Sequence, residues 1–103
     1  MSNFDLKEIL SDVRNYLDIT WKDAAGDKKL TGIIKNGAAF VQRLTQRPLL
    51  FEEGTAERSL LFDYCRYARS GAVNEFSKNY LTEINTFSQD EAVKEAMQKG
   101  DTE

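Results

Sequence analysis

Four stretches of this chain return apolar residues every three or four positions, and strict alternation of apolar and polar residues never lasts beyond a few positions. That period lays apolar side chains along one stripe of a helix, so no strand competes. Leu6, Ile9, Leu10, Val13, Tyr16 and Leu17 form the first stripe, opposite Lys7, Glu8, Asp12 and Arg14. Leu30, Ile33, Ile34, Gly37, Ala38, Val41 and Leu44 form the second. The third, Leu60 to Ala68, is apolar at seven of nine positions, too many for a single stripe, and marks a central or otherwise covered helix. Val73, Phe76, Tyr80, Ile84 and Phe87 make the fourth. The pattern predicts an all-α fold, a single small bundle of four main helices near 3–17, 28–44, 55–70 and 72–87. The expected core draws on Ile9, Leu10, Val13, Ile33, Ile34, Val41, Leu61, Tyr64, Cys65, Phe76, Tyr80 and Ile84. Residues 1–87 read as the domain. Residues 88–103 read as a polar, acidic tail in which Ala92, Val93, Ala96 and Met97 can line a short further helix.

Capping residues place the boundaries. Ser2, with the Asp5 carboxylate three residues on in the first turn, marks the start of the first helix, Asp27 and Thr55 are placed to cap the second and third, and Ser88 with Glu91 has capping-box spacing. Gly26 belongs to the first connection, where Trp21 is expected to cap an end of the core. Pro48 and Gly54 interrupt the pattern between the second and third helices. Gly37 costs its helix about 1 kcal/mol against alanine, so another helix is expected to cross there.

The side-chain inventory narrows the chemistry. With one cysteine and no histidine, the chain has no disulfide framework, no Cys/His zinc site and no imidazole base. Cys65, on the apolar arc of the third helix, reads as a buried structural thiol. Glu52 with Glu53 and Asp90 with Glu91 are paired carboxylates in polar settings and read as solvated; Asp63 and Arg66 are spaced to pair with each other. Tyr64, Arg66, Tyr67 and Arg69 interleave aromatics with bases, a pattern that suits stacking on nucleobases, but the favoured reading is aromatics turned inward and arginines outward. No phosphate loop, nucleophile elbow or calcium-loop spacing is present. Neither enzyme activity nor a cofactor or metal is expected. No apolar run approaches the ~18 residues of a membrane span, and the N-terminus lacks signal-peptide character. A soluble protein of a reducing compartment is the expectation.

The net charge of −3 is unevenly distributed: −3 over residues 1–27, +5 over 28–47, −1 over 48–71 and −4 over 72–103. The basic segment either packs beside acidic neighbours or faces DNA or an acidic partner. Leu49, Leu50 and Phe51, consecutive in the Pro48 loop, either fold back over the core or face a partner. Together with Lys35, Arg43 and Arg47 they are the candidate interface residues, the bases being expected to meet acidic groups of a neighbouring subunit, the C-terminal segment among them.

Three stretches, LSDVRNYLDITWKD (Leu10 to Asp23), KLTGIIKNGAAFVQRL (Lys29 to Leu44) and LLFDYCRYARSGAVNEFSKNYLTEI (Leu60 to Ile84), resemble the head-tail connector proteins of tailed bacteriophages and Gram-positive prophages, also described as head-completion or DNA-packaging proteins. The resemblance covers most of residues 4–87. Its signature-like parts are Leu17 to Trp21 and the series Asp63, Tyr64, Cys65, Tyr67, Asn74, Phe76 and Tyr80. It implies an all-helical protomer that forms a homo-oligomeric ring beneath the portal protein and retains DNA. Such a ring meets the tail-proximal completion protein and lets DNA pass without sequence-specific binding. The implied location is the virion's head-tail junction, reached from the bacterial cytoplasm during assembly, with no membrane involved. The competing reading is a small DNA-binding regulator that uses the basic 28–47 helix. Connections of about ten residues on either side of that helix are too long for a helix-turn-helix.

Overall fold

Asp5 has an extended backbone, and its carboxylate accepts the amides of Lys7 at 3.0 Å and Glu8 at 3.3 Å, opening α1 (Leu6–Tyr16). The same device at Asp23, which accepts the Ala25 amide at 3.2 Å, opens α2 (Ala24–Gln42). Thr55 accepts the Arg58 amide at 3.3 Å and opens α3 (Ala56–Arg69), as expected. After the left-handed Gly71, α4 (Val73–Asn79) and α5 (Leu81–Asp101) follow. This computed structural model describes residues 5–20 and 23–101, with side chains for 5–20 and 23–97. Among the described residues the fold is all-α, a compact domain of five helices with no strand. Ser2, expected to cap the first helix, and Trp21, expected to cap an end of the core, lie outside the described residues.

α1 begins at Leu6 with Asp5 as its cap, not near residue 3 with Asp5 in the first turn, because the Asp5 carboxylate takes the Lys7 and Glu8 amides. Three further boundaries differ from expectation. First, α2 starts one turn early, with Gly26 inside the helix, and Asp27 does not cap it. Both aspartates are competent caps, but Asp27 forms an ion pair with Arg14 of α1, which favours leaving the capping role to Asp23. Second, the helix expected over 72–87 is broken at Tyr80. That residue leaves helical geometry (φ −106°, ψ 16°), and its ring stacks on Phe76 at 4.8 Å. Third, α5 runs through Ser88 to Asp101, so Ser88 and Glu91 are mid-helix and cap nothing. Ser88 donates its hydroxyl to the Leu44 carbonyl instead, at 3.3 Å.

The principal packing is α2 on α3, centred on Gly37. A Cβ there would sit 2.7 Å from Tyr64 Cδ1 and 2.9 Å from Leu61 Cδ1, so the expected close crossing is present. Ile9, Val13, Ile34, Val41, Leu61, Cys65, Phe76 and Ile84 are buried as expected. Leu10, Ile33, Tyr64 and Tyr80 stand half-buried at the edge, while Leu30, Ala38, Leu49, Phe51, Leu60 and Phe87 complete the interior. Phe76 holds the short α4 in place through ring contacts at 4.8–5.9 Å with Phe40, Tyr64, Tyr67 and Tyr80. No described helix is long and apolar enough to cross a membrane.

Candidate assembly surfaces

The Pro48 loop turns two of its three large apolar residues inward. Leu49 and Phe51 belong to the chain's own core, whereas Leu50 between them is 43% exposed. Phe51 takes a left-handed backbone (φ 54°), unusual for so bulky a residue, and its carbonyl accepts from Arg58 Nη1 at 3.0 Å. Folding back over the core therefore describes Leu49 and Phe51. Only Leu50 of the triplet remains on the surface.

Arg47 is also engaged within the chain. Its Nε and Nη2 donate to the two carboxylate oxygens of Glu91 at 2.6 and 3.0 Å, in a fork that fixes both planes. Lys94 donates to the same carboxylate at 3.1 Å. Glu95 accepts from the Thr45 hydroxyl at 2.8 Å and the Gln46 amide at 2.9 Å. Glu91 is only 1% exposed, and the Arg47 guanidinium, against the opposing effect of burial, holds its carboxyl below the usual carboxylate range. The expectation that Asp90 and Glu91 are both solvated fails for Glu91. Its register with Ile84 and Phe87 places it on the buried stripe of α5, a signal available in the sequence. The expected meeting of the basic and the C-terminal acidic segments thus occurs at Arg47, but inside one chain.

Lys35 and Arg43 stand apart from this clamp, exposed on the outer face of α2 with Lys28 and Lys29. None of the four has an ion pair among the described residues. α5 offers a different kind of surface. The arc facing away from the core carries Thr82, Asn85, Thr86, Gln89, Ala92, Val93, Ala96 and Met97, all exposed and none charged. Val93 is 57% and Met97 65% exposed, as is Leu81 at the head of the helix, at 57%.

The reactive-group inventory is plain. Cys65 is fully buried, and desolvation pushes its thiol up to about 12, so at neutral pH it is a protonated packing residue, as expected. Asp63 and Arg66 do not pair with each other. Asp63 accepts the Tyr16 hydroxyl at 2.5 Å, and Arg66 donates to the Tyr80 hydroxyl at 3.0 Å while lying over the Tyr67 ring. Tyr64 and Tyr67 are half-buried with Arg66 and Arg69 outward, as the sequence indicated. Among the described residues, no three acidic or cysteine side chains are grouped to hold a metal ion. Comparison with protein-family models, curated proteins and solved structures gives no match.

Proposed function

We propose that this chain is a structural assembly subunit without catalytic activity, forming a ring at the portal-to-tail junction of a tailed phage or prophage. The observation that carries the reading is the outward arc of α5. An exposed helix face without charge, bearing Val93 and Met97 on a helix whose other side is already packed, is a surface suited to a protein partner. The resemblance of the three sequence stretches to head-tail connectors supplies the setting. In that setting the partners are further copies of the chain, the portal protein and the tail-proximal completion protein, with DNA passing through unread. Leu50, Lys35 and Arg43 are the surviving surface candidates for those contacts.

The test is genetic and structural. Val93→Glu with Met97→Glu, placed in the phage or prophage that encodes the chain, is expected to yield DNA-filled heads and unattached tails, while the purified variant keeps its helical circular dichroism. Normal yields of joined virions overturn the assignment. So does a specific turnover abolished by one substitution in a pocket.

The basic face of α2 supports a second reading, a nucleic-acid-binding protein. It predicts retardation of duplex DNA at moderate salt that is lost on reversing Lys35 and Arg43, with no effect on any assembly.

A further inference from the structure

We infer that the outer face of α2 of one copy seats in the groove between α3 and α5 of the next, with two lysines of the helix opposite two carboxylates of the groove. The inference deepens the ring reading and rests on it. Ala25, Gly32 and Ala39, seven residues apart, run down the middle of the outer face of α2. A Cβ added to Gly32 would meet nothing within 4 Å, so a neighbouring surface can approach the backbone closely. Lys28 and Lys35 flank this strip on one side, Lys29 and Arg43 on the other, and no acid interrupts them.

The groove has the opposite character. It encloses about 380 Å³ over the apolar side chains of Leu60 and Phe87, and its rim carries Asp63, Glu83 and Asp90. Glu83 and Asp90 are exposed and make no ion pair among the described residues. Asp63 accepts the Tyr16 hydroxyl, and Arg66, one turn on, donates to the Tyr80 hydroxyl. Lys28 and Lys35 are two helical turns apart, as are Glu83 and Asp90, so both rows repeat at about 10.5 Å and match in register.

α3 sets the two surfaces on opposite sides of the molecule. Its Leu61 and Tyr64 face Gly37 of α2, whereas its Ala56, Ser59 and Asp63 face the groove. Two different patches on opposite sides produce a head-to-tail contact, which closes into a ring or continues as a filament and does not stop at a two-fold dimer. A nucleic acid would neutralise the lysines but leave the carboxylate rim unanswered, in a chain of net charge −3. A second copy neutralises both.

The experiment compares the full chain with Lys28→Glu/Lys35→Glu and with Glu83→Lys/Asp90→Lys, by light scattering and sedimentation up to millimolar concentration. The wild type is expected to self-associate in a salt-sensitive manner, and each variant alone to lose at least about tenfold in association constant because like charges then face each other. Mixing the two variants should restore association as alternating copies, an outcome that a folding defect cannot produce. Circular dichroism melts confirm that each variant is folded. Association that survives both reversals overturns the interface and leaves the ring reading standing. A chain monomeric at every concentration overturns the interface, and the ring reading is then decided by the head-tail joining test. If that monomer also retards duplex DNA and Lys28→Glu/Lys35→Glu abolishes the effect, the nucleic-acid reading replaces both.

Discussion

Gly32 and Gly37, five residues apart on α2, predict opposite outcomes for the same substitution. Around Gly32 there is open space, so Gly32→Ala gains helix propensity at no steric cost and should stabilise the monomer by about 0.5–1 kcal/mol. At Gly37 the added methyl meets Tyr64 and Leu61 inside ordinary contact distance, and overpacking of about 1–3 kcal/mol outweighs the propensity gain. Urea midpoints of the two variants should move in opposite directions from wild type. The sequence revealed the Gly37 crossing because a glycine among Ile34, Ala38 and Val41 has no reason to be there unless something comes close. It could not reveal the inward turn of Phe51, since a left-handed backbone at a phenylalanine contradicts local preference and is maintained only by surrounding packing. Among the described rings Phe76 makes the most ring contacts, and it anchors a helix too short to stand alone. Phe76→Ala should cost about 3–5 kcal/mol in the same assay.

At the scale of elements, α1 and α3 were legible because each shows an amphipathic period bounded by a competent cap. α5 was legible only as a short helix after Ser88; neither its continuity from Leu81 nor its orientation could be read, because its second half carries no apolar stripe on the side that packs and Ala92, Val93, Ala96 and Met97 face outward. What fixes that half to the bundle is polar: Ser88 on Leu44, Glu91 on Arg47, and Glu95 on Thr45 and Gln46. Glu91 and its partner lie 44 residues apart, a pairing that only the fold discloses. Arg47→Ala leaves the buried Glu91 carboxylate with Lys94 and Thr45 alone, a loss of about 1–3 kcal/mol. Amide exchange should therefore accelerate in α5 beyond Ser88 while α3 stays protected; uniform acceleration would show the clamp to be part of the global core. The pH dependence follows from the direction of the Glu91 shift. Its folded-state pKa lies below the ordinary value of 4.5, so the stabilisation is complete above that value and is lost as pH falls through the folded one. Below about pH 5, wild-type stability should fall more steeply than that of Glu91→Gln, which lacks this proton uptake.

At the scale of the whole molecule, the sequence showed that a basic middle lies between acidic flanks but not how the charges divide in space. Arg14, Arg47 and Arg58 are paired within the chain, with Asp27, Glu91 and Asp12, whereas the lysines of α2 and, in the α3–α5 groove, Glu83 and Asp90 make no ion pair among the described residues. Shape carries a further consequence. A compact chain of this length has a radius of gyration of about 13 Å, whereas the Cα trace gives 14.8 Å, with extents of 52 × 28 × 19 Å. The 21 residues of α5 alone span about 30 Å. From Ala92 to Met97 only Glu95 is not exposed, and its contacts reach the 45–46 loop, not the core. Ending the chain after Glu95 should therefore leave the unfolding free energy from urea titration within about 0.5 kcal/mol of wild type while X-ray scattering reports a more compact particle. The same truncation removes Met97 and the end of the uncharged arc, so head-tail joining should fail although the protomer stays folded. A loss of more than about 1 kcal/mol would mean that this end packs on the bundle after all. Joining that persists would take it out of the interface and leave Leu81 to Val93 as the part of α5 that a partner covers.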